Sequence, residues 1–451
     1  MKNATKLLYL ILFCILFISC SSDPESDPVV VKPPVPEIPK PVPVVDSKIT
    51  AYSSNYGKTD EEITITGENF SDKIENINLY FDNVKATIIS ATSTQIKFKL
   101  PTTTNVVPVL RLEITNTKIT NLVKNAYKGN IAILKANPAS SWIVSNSATN
   151  NSQVIKIQIL DNGAVYYNWE TSILLEGGST ISYNYVNRSL DDGKTWENWT
   201  ETASTRWATN FFATNSDEGW SVYSEGSLYK IPMGGLDRTQ LLTSVGSIVH
   251  MNADESLKSG SVITSGGNVH STNDGANFSK VYSSTIGNNG GITGSTFLDN
   301  DHIWAYGLKG FTIAGTFGYK PILLYKKGSS DEWKEKVFSD ATTDARIRSV
   351  QFFKDNSGLM LFSTLNKTSI LKSVDGGDNW SEIYSGEAFN RITFNDANNG
   401  WAVLGKIIYK TTNGGVSWTV DYTHEEDILN IAARDKTVWA FSKSKILKRY
   451  L

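Results

Sequence analysis

Apolar and polar residues alternate in short runs along most of this chain, and the grouping of those runs divides it in two. Between residues 48 and 135 the runs include Ile63-Thr64-Ile65-Thr66, Ile77-Asn78-Leu79-Tyr80-Phe81, Gln95-Ile96-Lys97-Phe98 and Val109-Leu110-Arg111-Leu112-Glu113-Ile114. Side chains of a strand point alternately to its two faces, so these runs predict strands with one buried face, and turns every roughly eight to twelve residues predict a β-sandwich. From 139 to 451 the runs come in fours. The clearest group spans 388–422: an apolar run (Ile392, Phe394), a turn (Asn395 to Gly400), then Trp401 to Leu404, Ile407 to Thr411 and Trp418 to Tyr422. Four short antiparallel strands in about forty residues predict one blade of a β-propeller.

Two repeated elements mark the other blades. The first is an octet with a Ser or Thr, an Asp or Asn two places on, a Gly, and a closing aromatic. Its copies are Ser189 to Trp196, Ser271 to Phe278, Ser373 to Trp380 and Thr411 to Trp418. The Asp or Asn can accept hydrogen bonds from backbone N–H groups just ahead of it, Gly permits φ > 0, and the aromatic opens the next strand with a large apolar face. The second element is a turn followed by a Trp-bearing strand, at Asp217-Glu218-Gly219-Trp220, Asp301-His302-Ile303-Trp304, Gly400-Trp401 and Val438-Trp439. Blades are predicted near 153–202, 206–242, 245–283, 290–338, 346–384, 388–422 and 427–451, which makes seven. The second and fourth have no readable octet, and Tyr229-Lys230-Ile231-Pro232 is taken as a turn. The last holds three strands, and Ser141 to Ser145 is predicted to supply its missing outer strand and close the ring.

The octets resemble the Asp-box, or BNR repeat, of sialidase-like propellers. Only Ser189 to Trp196 fits the strict S-x-D-x-G-x-T-W form. Trp401-Ala402-Val403 with Tyr409 to Trp418 resembles the repeat of photosystem II assembly factors, which implies a non-catalytic platform. Glu62 to Phe70, Leu79 to Asn83 and Ile96 to Pro101 resemble the IPT/TIG immunoglobulin-like domain. The resemblances imply an all-β chain: an IPT/TIG sandwich at 48–135 followed by a seven-bladed Asp-box propeller at 139–451.

The first residues bear on location. Lys2 and Lys6 precede an apolar run from Leu7 to Ile18 that ends at Ser19-Cys20. About a dozen residues is short for a membrane span, which needs roughly 20, and predicts a signal peptide over 1–19. Cys20 at the cut resembles a Bacteroidota-type lipoprotein signal, and Ser21 to Asp27 resembles the acidic tag that sends such proteins to the cell surface. A lipid anchor on Cys20 in the outer membrane is the expectation. Seven of the 13 prolines lie between Pro28 and Pro43, so 20–47 is expected to be a stalk, reaching at most about 80 Å. Loss of the signal peptide removes Lys2 and Lys6 and leaves 41 basic against 45 acidic side chains. That balance gives no electrostatic footprint for nucleic acid. Cys14 and Cys20 are the only cysteines, so the mature chain would hold no internal disulfide.

Candidate chemistry is sparse. His250, His270, His302 and His424 fall in different blades without metal-ligand spacing, and no phosphate-binding glycine loop is present. No cofactor or metal is expected. The sialidase F/Y-R-I-P signature has one distorted echo, Tyr229 to Pro232, with Lys in place of Arg, which lacks the planar fork that grips a carboxylate. If the octets join third and fourth strands, the opposite face is built from blade-to-blade links and turns between second and third strands. Arg206, Arg346, Arg348 and Arg391 each stand just before an innermost strand and should crowd that face. Two long second-to-third loops are expected beside them: Asn168 to Ser182 with Trp169, and Leu308 to Lys320 with Phe311, Phe317 and Tyr319. Arginine with aromatics is the composition of a binding surface. Alternatively, the aromatics pack onto neighbouring blades and the arginines pair with Asp344, Glu387 or Glu425. The functional expectation is a monomeric surface lipoprotein that binds glycan or protein; the alternative is a glycoside hydrolase with two opposed carboxylates.

Overall fold

The computed structural model describes residues 45–105, 107–123, 129–134, 142–147, 153–174, 176, 178, 180–199, 208–214, 218–223, 226–232, 238–287, 289–313, 315–434 and 437–451. The signal segment, Cys20, the stalk and Arg206 lie outside them. Residues 44–451 form one compact unit. Apart from a 3-10 turn at Ile74–Asn76, its regular structure among the described residues is strand.

The first part is a sandwich. One sheet has five strands, in the order Thr87–Ala91, Gln95–Lys99, Glu62–Glu68, Ser47–Tyr52 and Ile119–Asn121. The other has three, Val84–Lys85, Ile77–Phe81 and Leu110–Ile114. The alternation decides what is inside: Ile63, Ile65, Leu79, Phe81, Ile96, Phe98, Leu112 and Ile114 meet in one core, while Thr64, Lys97 and Glu113 point outward.

The rest is a propeller of seven four-stranded sheets, each antiparallel. The innermost strands are Gln153–Ile159, Ala208–Ala213, Ile248–Ala253, Gly291–Phe297, Arg346–Phe352, Arg391–Phe394 and Ile428–Arg434, for blades one to seven. Each touches the next, and that of blade seven touches that of blade one, so the ring is closed. Blade seven takes its outer strand from Ile143–Asn146, paired antiparallel to Lys445–Tyr450. The apolar layers lie between blades, and second-strand tryptophans fill several of them: Trp220, Trp304, Trp401 and Trp439 are all fully buried. The closing aromatics of the octets, Trp196, Trp380 and Trp418, are only half-buried.

The octets work as hydrogen-bonded clamps. In blade one, Asp191 Oδ1 accepts from Thr195 N at 2.9 Å and Oδ2 from the Thr195 hydroxyl at 2.7 Å, while Ser189 Oγ accepts from Gly193 N at 2.7 Å. Blades five and six repeat the bonds through Asp375 and Asn413. Gly193 is held at φ 80°, and a Cβ there would lie 2.6 Å from the ring of Trp439 in the preceding blade. The octet therefore needs glycine for its backbone and for blade-to-blade contact. In blade three the register differs from the expected alignment. Thr272 and Asp274, not Ser271 and Asn273, make the clamp, because that turn is one residue shorter between its hydroxyl and its glycine.

Three further corrections concern turns. Tyr229 to Pro232 is not a turn but most of the third strand of blade two, Leu228–Pro232, paired with Glu218–Tyr223. The two expected long loops are instead hairpins. Val165–Leu174 and Thr180–Ser189 stay in register up to Leu174↔Thr180, and His302–Ile313 and Thr316–Lys327 up to Ile313↔Thr316. Their β-branched and aromatic residues continue the ladder where a loop was expected.

Polar side chains knit the seams near the axis. Six innermost strands carry a β-bulge. A bulged residue is left out of the ladder, so its carbonyl is available. Asn210 donates to Val249 O at 3.2 Å, Asn430 to Ile155 O at 3.1 Å, and Tyr306 to Arg348 O at 3.3 Å, each crossing to the next blade.

Candidate functional site

A propeller strand runs from one face of the ring to the other, so turns between first and second strands and the octets share one face. The blade-to-blade links and the second-to-third hairpins share the opposite one. The sandwich meets the octet face: Tyr56 and Ala132 pack on Tyr450, and Lys58 bonds to Leu451 O. The opposite face is clear of that contact and bears the hairpins of blades one and four.

The innermost strands give that face its charge. The seven together carry Lys156, Arg346, Arg348, Arg391 and Arg434, and no Asp or Glu. Arg434 is at the octet end and pairs with Asp161. Arg346 and Arg391 begin their strands at the other end, with Arg348 one bulge further in. Arg346 donates to the carbonyls of Thr343 and Ala345, at 3.0 and 2.8 Å, and Arg348 Nε to Ser363 Oγ at 2.9 Å. Among the described residues none of the three has a carboxylate within ion-pair distance. Asp344 accepts from Leu365 N, with the Arg346 charge acting on it from beyond ion-pair distance, and Glu425 pairs with Lys445 at 3.9 Å. The strand wall is basic, while the links above it carry acids, among them Asp344, Glu387 and Glu426.

Aromatics of blade four stand beside these arginines. The Arg346 guanidinium is 6.0 Å from the ring centroid of Tyr319. In the hairpin register Thr312 faces Phe317 and Gly310 faces Tyr319, so Phe317 and Tyr319 share one side, toward blade five. Phe317 is 63% exposed. Phe311 lies on the other side, its ring against Gly318, where a Cβ would come within 2.4 Å. Tyr306, not foreseen from the sequence, joins the group through Arg348. Burial pushes its hydroxyl up to about 12, against the opposing charge of Arg391. The structure thus brings together Tyr306, Phe317, Tyr319, Arg346, Arg348 and Arg391 across blades four to six.

Trp169 is not part of this group. It sits in the second strand of blade one, 8% exposed, stacked on Tyr185 at 4.8 Å and packed with Val154 and Phe441. Its ring is packing material and not an open platform, because its register position faces the blade one–seven seam.

Deeper along the axis is a polar pair that sequence spacing could not show. Lys156 Nζ bonds to Asn210 Oδ1 at 3.2 Å and to Phe211 O, and burial pushes it down to about 8. His250 is held neutral: Asn252 Oδ1 accepts from Nε2 at 2.8 Å, and Nδ1 faces Ser295 Oγ at 2.6 Å. Burial first, with the Lys156 charge adding to it, lowers His250 to about 4 despite the Asn252 bond. Among the described residues no group of three or more His, Cys, Asp or Glu side chains could hold a metal ion.

Residues 47–128 match the IPT/TIG domain. No curated protein matches the sequence. Among solved structures, the chain is similar to YCF48 bound to a D1 peptide, at 17% identity and a TM-score of 0.51 over 70% of this chain and 98% of that one. It is similar to YCF48 from Cyanidioschyzon merolae at 16% identity and 0.51, over 69% and 99%. An auxiliary nutrient binding protein from Bacteroides thetaiotaomicron VPI-5482 aligns at 10% identity and 0.37, over 90% and 98%. The two YCF48 structures show a shared propeller fold.

Proposed function

We propose that this chain is a non-catalytic binding module, displayed on the cell surface by a lipid on Cys20, whose ligand docks on the face opposite the octets. The observation that supports it most directly is the set of three arginines at the mouth of an acid-free axis, none with a carboxylate within ion-pair distance among the described residues. An arginine held beside tyrosines and not bonded to a carboxylate can donate in a plane to a carboxylate, sulfate or phosphate brought by a ligand. Phe317 and Tyr319 supply apolar area next to that charge. The ligand is a protein segment or a glycan bearing anionic groups; a propeller of like fold holds a peptide. A glycosidase reading is less well supported, since a hydrolytic carboxylate pair could not come from the innermost strands. The test is an array of peptides and anionic glycans probed with the whole chain, repeated with Arg391→Ala. Loss of the array signals in the variant, with unchanged thermal unfolding, is expected. Signals that survive both Arg391→Ala and Arg348→Ala would place the ligand elsewhere.

A further inference from the structure

The seams on the octet face are not built alike. At the blade seven–one seam, Asp192 accepts from Lys448 Nζ at 2.8 Å and from the Tyr450 hydroxyl. At the blade four–five seam, Asp378 does the same with Lys327 Nζ and the Tyr325 hydroxyl, both at 2.6 Å. In each, an acid of the octet reaches back to a Lys and a Tyr two residues apart on the third strand of the preceding blade. The blade three–four seam has neither half of this clasp. Blade four turns between Thr316–Lys327 and Lys334–Val337 without an octet, and the third strand of blade three ends in His270-Ser271-Thr272.

An open cleft of about 330 Å³ lies there, lined among others by Ser271, Asn273, Val281, Asp331 and Trp333. Trp333 stands where the closing aromatic of an octet would be, immediately before its outer strand, and lies near-parallel to Tyr282 at 6.0 Å. The one-residue shortening in blade three leaves Asn273 outside its clamp and exposed. Among the described residues, the side chains of Ser271, Asn273, Asp331 and Trp333 have no hydrogen-bond partner. The remaining charge on the wall is cancelled, because Asp301 pairs with Lys326 at 2.6 Å.

We infer that this cleft is a second binding site, separate from the arginine face, and that it takes a neutral saccharide ring. Ser271 and Asn273 can each donate and accept, and the Asp331 carboxylate can accept from two adjacent hydroxyls of one sugar. Trp333 and the half-exposed Val281 offer apolar surface to the C–H face of a pyranose. The volume is at the lower end of small-molecule sites, about 300–1,000 Å³, which suits one ring.

Saturation-transfer NMR and calorimetry on the whole chain, with the methyl glycosides of β-D-glucose, β-D-galactose and α-D-mannose as probes, test this. At least one glycoside should bind. Asn273→Ala and Trp333→Ala should each weaken it by about tenfold, and Arg391→Ala should leave it unchanged. Asn273 and Asp331 are exposed, so Asn273→Ala and Asp331→Asn keep the test alive if Trp333→Ala fails to fold. The inference is overturned if none of the three glycosides binds, or if binding survives Asn273→Ala and Asp331→Asn together. It is equally overturned if Arg391→Ala abolishes binding, which would assign the sugar to the arginine face and leave the reading of that face intact.

Discussion

The two faces of the ring are built on different principles. The octet face is repetitive: clamps at Asp191, Asp274, Asp375 and Asn413, and acid clasps at Asp192 and Asp378 that tie one blade to its neighbour. Outside the blade three–four cleft its polar groups are spent on one another. The opposite face is irregular. Its hairpins differ in length, Phe317 is exposed, and its arginines bond to carbonyls or a hydroxyl and not to acids. Where polar groups satisfy one another the structure gains stability; where they are left with donors to spare, a ligand can complete them. The expectation is that mutations of the octet clamps, the clasps and the inter-blade layers cost stability, and mutations of the arginine group cost binding.

The largest stability loss should come from the inter-blade tryptophans. Trp401 is fully buried in the layer that blades six and seven share, so Trp401→Ala should cost about 3–5 kcal/mol. Trp418→Ala should cost visibly less, since that ring is half-exposed and its Nε1 bonds only to Gly415 O within its own octet. Chemical denaturation of both variants decides this. Equal losses would mean that the octet aromatics share the core's work.

The clasp that closes the ring comes next. Asp192 is buried at φ 61° beneath Lys448 and Tyr450, so Asp192→Ala leaves the half-buried Lys448 ammonium with only the residue-192 carbonyl. The expected cost is about 3 kcal/mol. Its neighbour Asp191 serves only its own turn, and Asp191→Ala should cost about 1–3 kcal/mol. If Asp191→Ala proved the worse of the two, ring closure would not depend on this clasp.

How far this division could be read from the sequence follows from what repeats. Period-two alternation identified the sandwich core through Ile63, Ile65 and Phe98, and the recurring Trp strands identified the blades. The pairing of Ile143–Asn146 with Lys445–Tyr450 followed from a blade being one strand short. What stayed hidden depends on partners distant in sequence. Asp192 and Lys448 are 256 residues apart, and nothing local marks Asp192 as different from its half-buried neighbour Asp191. Trp169 looked like a loop aromatic because its hairpin continues the ladder past the usual blade length. The bulges that free the carbonyls of Ile155, Val249 and Arg348 leave no mark in composition. The absence of acids from the innermost strands was visible in principle, but only once all seven had been aligned by their place in the ring.

Acid should titrate carboxyls that folding holds down on both faces, Asp375 in its octet and Glu426 in the link between blades six and seven. The backbone N–H of Asn379, with the Asn379 and Ser373 side chains, outweighs burial and holds Asp375 down from 3.8 to about 2. Hydroxyl and backbone donors of Ser442 and Ser444 overcome burial to hold Glu426 down from 4.5 to about 2. A carboxyl lowered on folding contributes stability that is complete above its unfolded value and lost as pH falls through its folded one. The unfolding midpoint should therefore decline between about pH 4 and 2. Asp375→Asn should flatten part of that decline, since the amide keeps the acceptor, as Asn413 does in blade six, and does not titrate. A variant with the same acid profile as the parent would remove Asp375 from the account.

The smallest stability effect should belong to the arginine face. Arg391 makes no ion pair or hydrogen bond with a described residue; the only interaction assigned to it is the field it exerts on Tyr306. Arg391→Ala should therefore leave the unfolding free energy within about 0.5 kcal/mol of the parent. Arg348→Ala should cost somewhat more, about 0.5–1.5 kcal/mol, because its Nε bond to the buried Ser363 hydroxyl is lost while its backbone carbonyl still accepts from Tyr306. Against an anionic ligand the order reverses. Both variants should bind more weakly, and added salt should weaken the parent more steeply than either, since the screened charges are the ones removed. A large loss of stability in Arg391→Ala would show that the guanidinium has a structural partner after all, and the two faces would then differ in geometry but not in purpose.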